Sequence, residues 1–437
     1  MKSNGAAHFT TAPPTNVVND INAIPARLGE EHPLRIAFVV DTFARDMGYA
    51  NNTLCKYLAR LGHDVHLVTS DLLPYFQLGS AASVYGIEFA ERNKPRLGSE
   101  RVDGFTVHTV RNVPLLGHTR LQGLHSLLRH IAPAIVCTFN AAGWIPLDCA
   151  VAARRNGYRF VIGNHTGKTA FPLAQQSRTW YSRSRLKGFA TRILPGWFIG
   201  ATADHCVVPT QDCAEVAIKF FGIRPDKVRV MNLPVDQDYF HPCETATERE
   251  ERANLRASLG FSETDVVCVY SGKFTEGKNP TVLLQAIEIL ASQGYAVRGL
   301  FIGSGPQLQA LTGSPLAVVV PFMALAPLGR HYRAADVGVW MEESTSFLDA
   351  ASTGLPLVLG STVKDLSHVR EFTTTYASND PNSLADAIRP MLDASRRSQI
   401  APVAARLAAE RFAASQYASL RVAFFRDALA IPRTHPL

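Results

Sequence analysis

Arg35-Ile-Ala-Phe-Val-Val40 is an unbroken apolar run of strand length near the start of the chain. Such a run is typical of a parallel strand covered on both faces, because a strand with one exposed face alternates apolar and polar residues. A helical pattern follows at about 48–62, with apolar residues at i, i+3, i+4 and i+7 and Gly62 as a stop. A second strand is predicted at 63–69. The chain therefore opens with a β-α-β unit.

The same alternation continues along the chain and restarts once. Further first-half strands are predicted at 105–110, 134–138, 160–163, 205–208 and 228–231. The pattern breaks over 236–251, where a charged run indicates a domain boundary. It then resumes with strands at 266–271, 297–302, 317–320 and 337–340 and helices at 280–290 and about 328–335. The sequence predicts an α/β protein with two doubly wound domains that enclose one cleft, because ligands lie beyond the carboxyl ends of parallel strands.

Composition agrees with two globular domains. The chain has 437 residues, more than the roughly 250–300 that one hydrophobic core serves. Its seven cysteines include no CxxC pair, which indicates reduced thiols and a cytoplasmic protein. Residues 1–33 are expected to be a disordered tail rather than a signal peptide, and no run approaches the roughly 18 apolar residues of a membrane span.

The net charge of +7 is concentrated in residues 178–198, where arginines and a lysine alternate with aromatic and aliphatic residues. This mixture suits a peripheral contact with an anionic membrane, at the inner face of the cytoplasmic membrane. An ordinary basic helix whose aromatics face the core fits equally well. Nucleic acid is not an expected partner, because no base-reading motif accompanies the charge.

Four loops that follow predicted strands carry candidate site residues. Gly48 lies where a backbone without Cβ can approach a phosphate, although a simple turn glycine fits too. Lys273 and Lys278 in Ser271-Gly-Lys-Phe-Thr-Glu-Gly-Lys278 can hold a diphosphate leaving group, unless this loop is merely solvated. Gly303 closes another strand in a glycine turn that lacks the third glycine of a dinucleotide fingerprint.

The densest candidate is Glu342-Glu-Ser-Thr-Ser-Phe-Leu-Asp349, a polar turn that enters a helix. The hydroxyls of Ser344, Thr345 and Ser346 and the free amides of the helix start can cradle phosphate, and Asp349 can accept both ribose hydroxyls. Ser346-x-x-Asp349 also matches a capping box, in which Asp349 only closes its own helix.

From about Leu34 to Leu429 the sequence resembles the family 4 glycosyltransferases of the GT-B fold. The similar stretches are the first strand with Gly48, Val207-Val-Pro-Thr-Gln211, Asn232-Leu-Pro-Val-Asp236 with the Phe240-His-Pro passage, the Lys273 and Lys278 loop, and Ser346 to Pro356. The resemblance implies that Gly272 and the two lysines grip the donor diphosphate, that Asp349 binds the donor ribose, and that Glu343 is the first acid of the paired-acid motif. Gly303 and Phe322 join the predicted donor site. His165 corresponds to a histidine that the family carries beside the donor sugar, although a lone histidine is more often structural.

This sequence also departs from the family pattern. The two family acids are eight residues apart, whereas Glu343 and Asp349 are closer and residue 341 is Met. Lys273 replaces a common arginine, so a point charge takes the place of a bidentate fork. Two other motifs are rejected: Gly167-Lys-Thr169 lacks the spacing of a phosphate loop, and Asp236-Gln-Asp238 has no neighbouring acid or histidine cluster to complete a metal site.

The resemblance implies a retaining hexosyltransferase that needs no metal or other cofactor. Its donor would be a UDP-, GDP- or ADP-sugar and its acceptor a glycan or a lipid-linked molecule. The implied domains are an acceptor-side domain at 34–242, a nucleotide-sugar domain at 243–410, and a C-terminal helix within 411–437 that crosses back to the first domain. A GT-B epimerase or hydrolase and a catalytically degenerate nucleotide-sugar sensor stay open as alternatives, as does, more remotely, a P-loop NTPase.

Overall fold

The computed structural model describes residues 32–74, 82, 85–116, 118–168, 171, 188–363 and 366–432. The predicted tail at 1–33 lies almost wholly outside these residues, as does the 178–187 part of the basic stretch. The helices are α1 (Ala50–Arg60), α2 (Ile87–Arg92), α3 (Leu124–Ile131), α4 (Trp144–Asn156), α5 (Leu194–Thr202), α6 (Gln211–Phe221), α7 (Ala246–Ser258), α8 (Thr281–Ser292), α9 (Leu308–Thr312), α10 (Leu325–Ala334), α11 (Ser346–Ser352), α12 (Pro381–Ile388), α13 (Ala394–Phe412) and α14 (Ala414–Ala430).

The first domain contains an eight-stranded sheet in the order β3-β4-β2-β1-β5-β6-β7-β8. Its neighbouring strands are parallel except for the antiparallel pair of β3 and β4. Helices cover both faces, which explains the continuous apolar runs in its central strands. The strands are β1 (Arg35–Val39), β2 (Asp64–Ser70), β3 (Gly98–Val102), β4 (Phe105–Val110), β5 (Ile135–Thr138), β6 (Arg159–Gly163), β7 (His205–Val208) and β8 (Val228–Val230).

The second domain contains a six-stranded parallel sheet in the order β11-β10-β9-β12-β13-β14. Both sheets and their flanking helices match the predicted α/β, doubly wound class. The strands are β9 (Val266–Lys273), β10 (Val297–Ser304), β11 (Ala317–Val320), β12 (Val337–Trp340), β13 (Leu357–Gly360) and β14 (Thr373–Tyr376).

Much of the charged run at the predicted domain boundary is helical, and the sequence analysis did not predict this helix. Helix α7 begins there with a capping box: Glu248 donates its backbone N–H to Thr245 Oγ1 over 3.2 Å, and its carboxylate accepts the Thr245 N–H over 2.9 Å. Charged residues dominate this helix, and Arg256 is its one buried side chain, so it has no apolar stripe that periodicity could reveal.

The chain crosses between the domains twice, and the two crossings lie side by side. Val235 donates its N–H to the Phe412 carbonyl over 2.7 Å and accepts the Ala414 N–H over 3.0 Å. Helix α14 then packs on the first domain, where Ala418 and Phe425 join the core of β1. The predicted return of the C-terminal helix to the first domain is therefore confirmed.

Candidate donor and acceptor cleft

The carboxyl ends of β9 and β10 approach each other more closely than side chains permit. Gly272 and Gly303 are paired in register, and both have positive φ. A Cβ on Gly303 would lie 1.9 Å from the Gly272 carbonyl oxygen. Both predicted donor-site glycines thus shape the strand ends from which the following loops depart.

Lys273 and Lys278 lie close to each other at this edge, and both are partly buried. Burial and the charge of Lys278 lower the pKa of Lys273. Burial also lowers the pKa of Lys278, and the charges of Glu342 and Glu343 oppose that effect. The Lys278 ammonium donates a 2.6 Å hydrogen bond to the Glu343 carbonyl oxygen, which ties the loop after β9 to the loop after β12. The structure therefore brings the two predicted lysines together beside Glu343.

The loop after β12 enters α11 without the capping box that the sequence allowed. Thr345 precedes the helix, and its side chain forms no cap hydrogen bond. Ser344 Oγ instead accepts the Ser346 N–H over 3.3 Å and lies 3.2 Å from Ser346 Oγ. Asp349 therefore does not close its own helix, so the capping-box interpretation of that carboxylate is wrong.

Asp349 belongs to a second, more enclosed group. Burial, and then the charge of Asp236, raises the pKa of Asp349 well above its usual range. Its charge also acts on the buried Tyr332, whose hydroxyl contacts Ser271 and Ser346. The lysines and Asp349 thus form two groups at the same sheet edge, linked through the turn at 342–346. Their convergence on a single ligand stays a prediction.

His165 lies across the cleft, in the loop after β6. It retains solvent access, and its ring packs edge-on against Phe139 with centroids 5.5 Å apart. Desolvation by the surrounding cleft residues, and then the charge of Arg421, lowers its pKa to about 4. His165 is therefore neutral at physiological pH and can donate or accept a hydrogen bond.

Gly48 and Phe322 lie at a rim where the two domains touch. A Cβ on Gly48 would come within 2.8 Å of Leu325 Cδ2, so the glycine admits a side chain of the second domain. Phe322 packs against Tyr85 and Phe89 of the first domain, with ring centroids 4.8 and 5.0 Å away. These contacts give both residues an interdomain role, and their contact with the donor stays a prediction.

The rejected motifs have structural partners. Lys168 forms ion pairs with Asp212 and Glu215, so its ammonium is held away from a phosphate site, while Thr169 lies outside the described residues. Asp236 accepts a 2.7 Å hydrogen bond from the buried Lys56 ammonium, and Asp238 binds Lys56 and Arg60. These carboxylates serve the junction between the domains.

The described part of the basic aromatic stretch exposes three large apolar side chains: Phe189, Leu194 and Trp197. Leu116, at the tip of the 112–121 hairpin, is 66% exposed and lines a shared pocket with Pro195. Within the described ranges, no helix has the length and apolarity to span a bilayer.

Sequence patterns did not identify three residues that reach the site from distant parts of the chain. Tyr332 and Arg421 reach the site from α10 and α14, and Lys56 reaches Asp236 across 180 positions. No motif marks these residues. The one sequence signal for Arg421 is its position within an otherwise apolar stretch of α14.

Comparison with known proteins gives a consistent result for both domains. The sequence model of Glycosyltransferase Family 4 matches residues 51–239, and that of Glycosyl transferases group 1 matches residues 265–394. The D-inositol 3-phosphate glycosyltransferase of Geodermatophilus obscurus is 30% identical over 214 residues, which are 44% of this chain and 46% of that relative. That of Streptomyces griseus is 23% identical over 330 residues, covering 63% and 69%. Among solved structures, Anabaena Alr3699/HepE in complex with UDP superposes with a TM-score of 0.63 at 15% identity, covering 90% of this chain and 100% of that one.

Proposed function

The chain belongs to the group 1 glycosyltransferases of the GT-B fold, and on that premise we propose that it transfers a sugar from a nucleotide-sugar donor to an acceptor hydroxyl, with retention of configuration and without a metal. The observation that carries the proposal is the partly buried pair of Lys273 and Lys278 at the carboxyl edge of the second sheet. The charge of Lys278 lowers the pKa of the partly buried Lys273, and a bound diphosphate would offset this repulsion.

The donor would lie across the two groups of the second domain. The ammonium groups of Lys273 and Lys278 stabilise the charge that develops on the leaving diphosphate. The hydroxyls of Ser344 and Ser346 and the amides at the start of α11 face the same turn. Ribose hydroxyls that donate to Asp349 would compensate the desolvation of its carboxyl group. UDP in the complex of the Anabaena relative supports a uridine nucleotide as the first donor to test.

The acceptor would lie in a first-domain cavity of about 190 Å³ at the ends of β1 and β5. Its polar lining includes Asp41, Thr42, Asn51, Thr138 and Asn140, next to the Phe139 ring. The cavity is smaller than the roughly 300–1,000 Å³ of drug-sized pockets, so it fits about one sugar ring of a glycan. Carboxylate, amide and hydroxyl groups around an aromatic face suit a polyhydroxylated ring.

In this arrangement the protein contributes position and electrostatics. The acceptor hydroxyl attacks the anomeric carbon as the bond to the diphosphate breaks, and a departing phosphate oxygen on the same face takes the hydroxyl proton. Neutral His165 donates a hydrogen bond to the transferring sugar from the opposite wall of the cleft. Asp236 and Asp238 are engaged by Lys56 and Arg60, which supports a reaction that does not use this pair for a metal.

A lipid-linked acceptor is favoured by exposed apolar side chains of the first domain. Phe189, Leu194, Trp197 and Leu116 are exposed, the rings of Phe189 and Trp197 pack edge-on at 5.6 Å, and Arg192 belongs to the same segment. Apolar side chains combined with cationic ones suit an anionic membrane surface. The protein would then act in the cytoplasm at the inner face of the membrane.

One experiment tests the proposed reaction. A thermal-shift screen of UDP-, GDP- and ADP-sugars identifies the donor, because a ligand at a hundred times its Kd stabilises by about 2.7 kcal/mol. Mass spectrometry with glycan and polyprenyl-linked acceptors then detects transfer. A conjugated product with released nucleoside diphosphate supports transfer. Donor loss without any conjugate would identify a hydrolase or epimerase, and binding without turnover a sensor.

A further inference from the structure

The loop after β6 combines an exposed site residue with a buried neighbour. His165 retains solvent access, whereas Asn164, directly before it, is 2% exposed. Gly163 packs so closely on the loop after β5 that a Cβ there would lie 3.2 Å from both Cα and the carbonyl oxygen of Phe139. The backbone on the strand side of His165 therefore has little room to move.

The side-chain amide of Asn164 forms three hydrogen bonds. Nδ2 donates to the Cys213 carbonyl oxygen over 2.8 Å and to the Thr166 carbonyl oxygen over 3.0 Å. Oδ1 accepts the Thr166 N–H over 3.3 Å. Two carbonyl oxygens on one side and an N–H on the other fix the orientation of the amide. Because Asn164 and Thr166 flank His165, these bonds hold the histidine backbone from both sides.

The loop is attached to helix α6 at two points. One is the bond from Asn164 to Cys213, whose own N–H donates to the capping Thr210 Oγ1 over 3.3 Å, so the acceptor belongs to a capped first helical turn. The other is the Lys168 N–H, which donates to the Asp212 carboxylate over 2.7 Å. The first attachment is adjacent to the histidine, and the second lies three residues beyond it.

We propose that Asn164 is a positioning residue for His165 in the transfer reaction, an inference that rests on the proposed function. Asn164 holds the backbone so that the His165 ring stays edge-on against Phe139, with centroids 5.5 Å apart, and its hydrogen bond reaches the transferring sugar. A misplacement of about 1 Å at a reacting centre costs up to about 100-fold in rate, so this role requires a fixed backbone.

The partners explain why the residue is an asparagine. An aspartate has nearly the same shape, but it would place a carboxylate oxygen against two carbonyl oxygens. A serine supplies a single donor with a shorter reach. Asn164→Ser is therefore the milder test, because it keeps a small polar side chain without a buried charge.

A double-mutant cycle on kcat/KM separates positioning from general stability. Asn164→Ser should lower kcat/KM by about 10–100-fold, mainly through kcat, and should have no further effect in a His165→Ala background, because there is then no ring to displace. Tyr158→Phe, at the amino end of β6, is the matched control, since it removes a buried hydrogen bond to the Cys149 carbonyl oxygen and should keep a normal kcat/KM. Normal kcat/KM in Asn164→Ser, or an equal loss in both backgrounds, would overturn the proposal.

NMR spectroscopy gives a readout that does not need catalysis. The pKa of His165 should rise from about 4 in the unmodified chain towards the ordinary value of about 6.5 in Asn164→Ser, because the ring leaves its desolvated position. An identical titration in both chains would overturn the proposal. So would fast solvent exchange of the Asn164 side-chain amide protons in the unmodified chain, which requires no variant. If no nucleotide sugar supports transfer, the proposed function fails, and the titration still decides whether Asn164 fixes the ring.

Discussion

Two charged clusters near the cleft contain buried or partly buried lysines, and the pKa values of these lysines shift in opposite directions. At the junction of the domains, Lys56 is buried between Asp236 and Asp238, each within 2.7 Å of its ammonium. Burial acts to lower the pKa of Lys56, but the hydrogen bonds from these carboxylates raise it. At the edge of the second sheet, Lys273 and Lys278 lie together, and burial lowers the pKa of both.

The difference distinguishes a structural network from a ligand site. At the junction, carboxylates neutralise the charge of Lys56. That cluster therefore stabilises the contact between the domains, and its charge is not available to bind a ligand. The second cluster holds two partly buried lysines close together, and a bound diphosphate would offset their mutual repulsion. Proximity to the cleft is shared by both clusters, so charge balance separates their roles.

The largest expected effect is on stability and comes from the junction. Asp236→Ala leaves the buried Lys56 ammonium with a weakened set of partners, and the loss is expected at about 3–5 kcal/mol of unfolding free energy. Denaturant titration followed by tryptophan fluorescence measures it. Asp226→Ala, which breaks the exposed pair with Arg224, is the matched control and should change nothing measurable. Equal stability of both variants would show that the junction network is not structural.

The lysine pair should affect catalysis instead. Lys278→Ala is expected to lower kcat/KM by about 10²–10³-fold, because it removes a cation from the leaving diphosphate, with an unchanged Tm. Lys278→Arg should recover part of this loss. Lys219→Ala, an exposed first-domain lysine, controls for net charge. A Lys278→Ala enzyme with normal turnover would break the contrast between the two clusters.

The aromatic rim offers a smaller and different contact between the domains. Phe322→Ala and Phe89→Ala should show a coupling of about 0.5–1.5 kcal/mol in a double-mutant cycle on unfolding, because their rings pack edge to face at 5.0 Å. Additive effects would mean that this contact does not form in solution, and Phe322 would then be available to the donor alone.

The smallest expected effect is on the pH dependence of kcat/KM, which tests the lowered pKa values of Lys273 and Lys278 directly. Because the lysine pKa values are lowered, the ammonium groups lose their protons as pH rises through values below the ordinary lysine pKa of about 10.4, so kcat/KM should fall there. Lys278→Arg should move this alkaline limb upward. The pKa of His165 is about 4, so no histidine limb is expected near pH 6.5. A limb at that pH would show that His165 titrates in the free enzyme.

The fold was largely predictable because buried parallel strands are continuous apolar runs. The strands His205–Val208, Ala317–Val320 and Val337–Trp340 match their predicted bounds. Strand Gly98–Val102 escaped prediction because four of its five residues are exposed and polar contacts hold it at the sheet edge. Helix Ala246–Ser258 was missed because charged residues dominate its sequence.

The site was predictable only where it is local in the chain. Lys273, Lys278 and the 343–349 turn follow strands, and the order of elements places them at one sheet edge. Spacing could not assign the capping role of Ser344, the aromatic neighbours of Phe322 or the cavity beneath His165. These three features depend on side chains that come from elements far apart in the sequence. Arg421, which reaches the cavity beneath His165 from α14, is the clearest example.

Isothermal titration calorimetry of nucleoside diphosphates tests the central assignment most directly. UDP, GDP and ADP are titrated into the full chain, into the Lys273→Ala/Lys278→Ala variant, and into Lys219→Ala. The structure leads us to expect that one of the three diphosphates binds the unmodified chain and Lys219→Ala alike, and that the double variant loses at least about 100-fold in affinity, about 2.7 kcal/mol. Equal affinity in the double variant would contradict a diphosphate site at the edge of the second sheet.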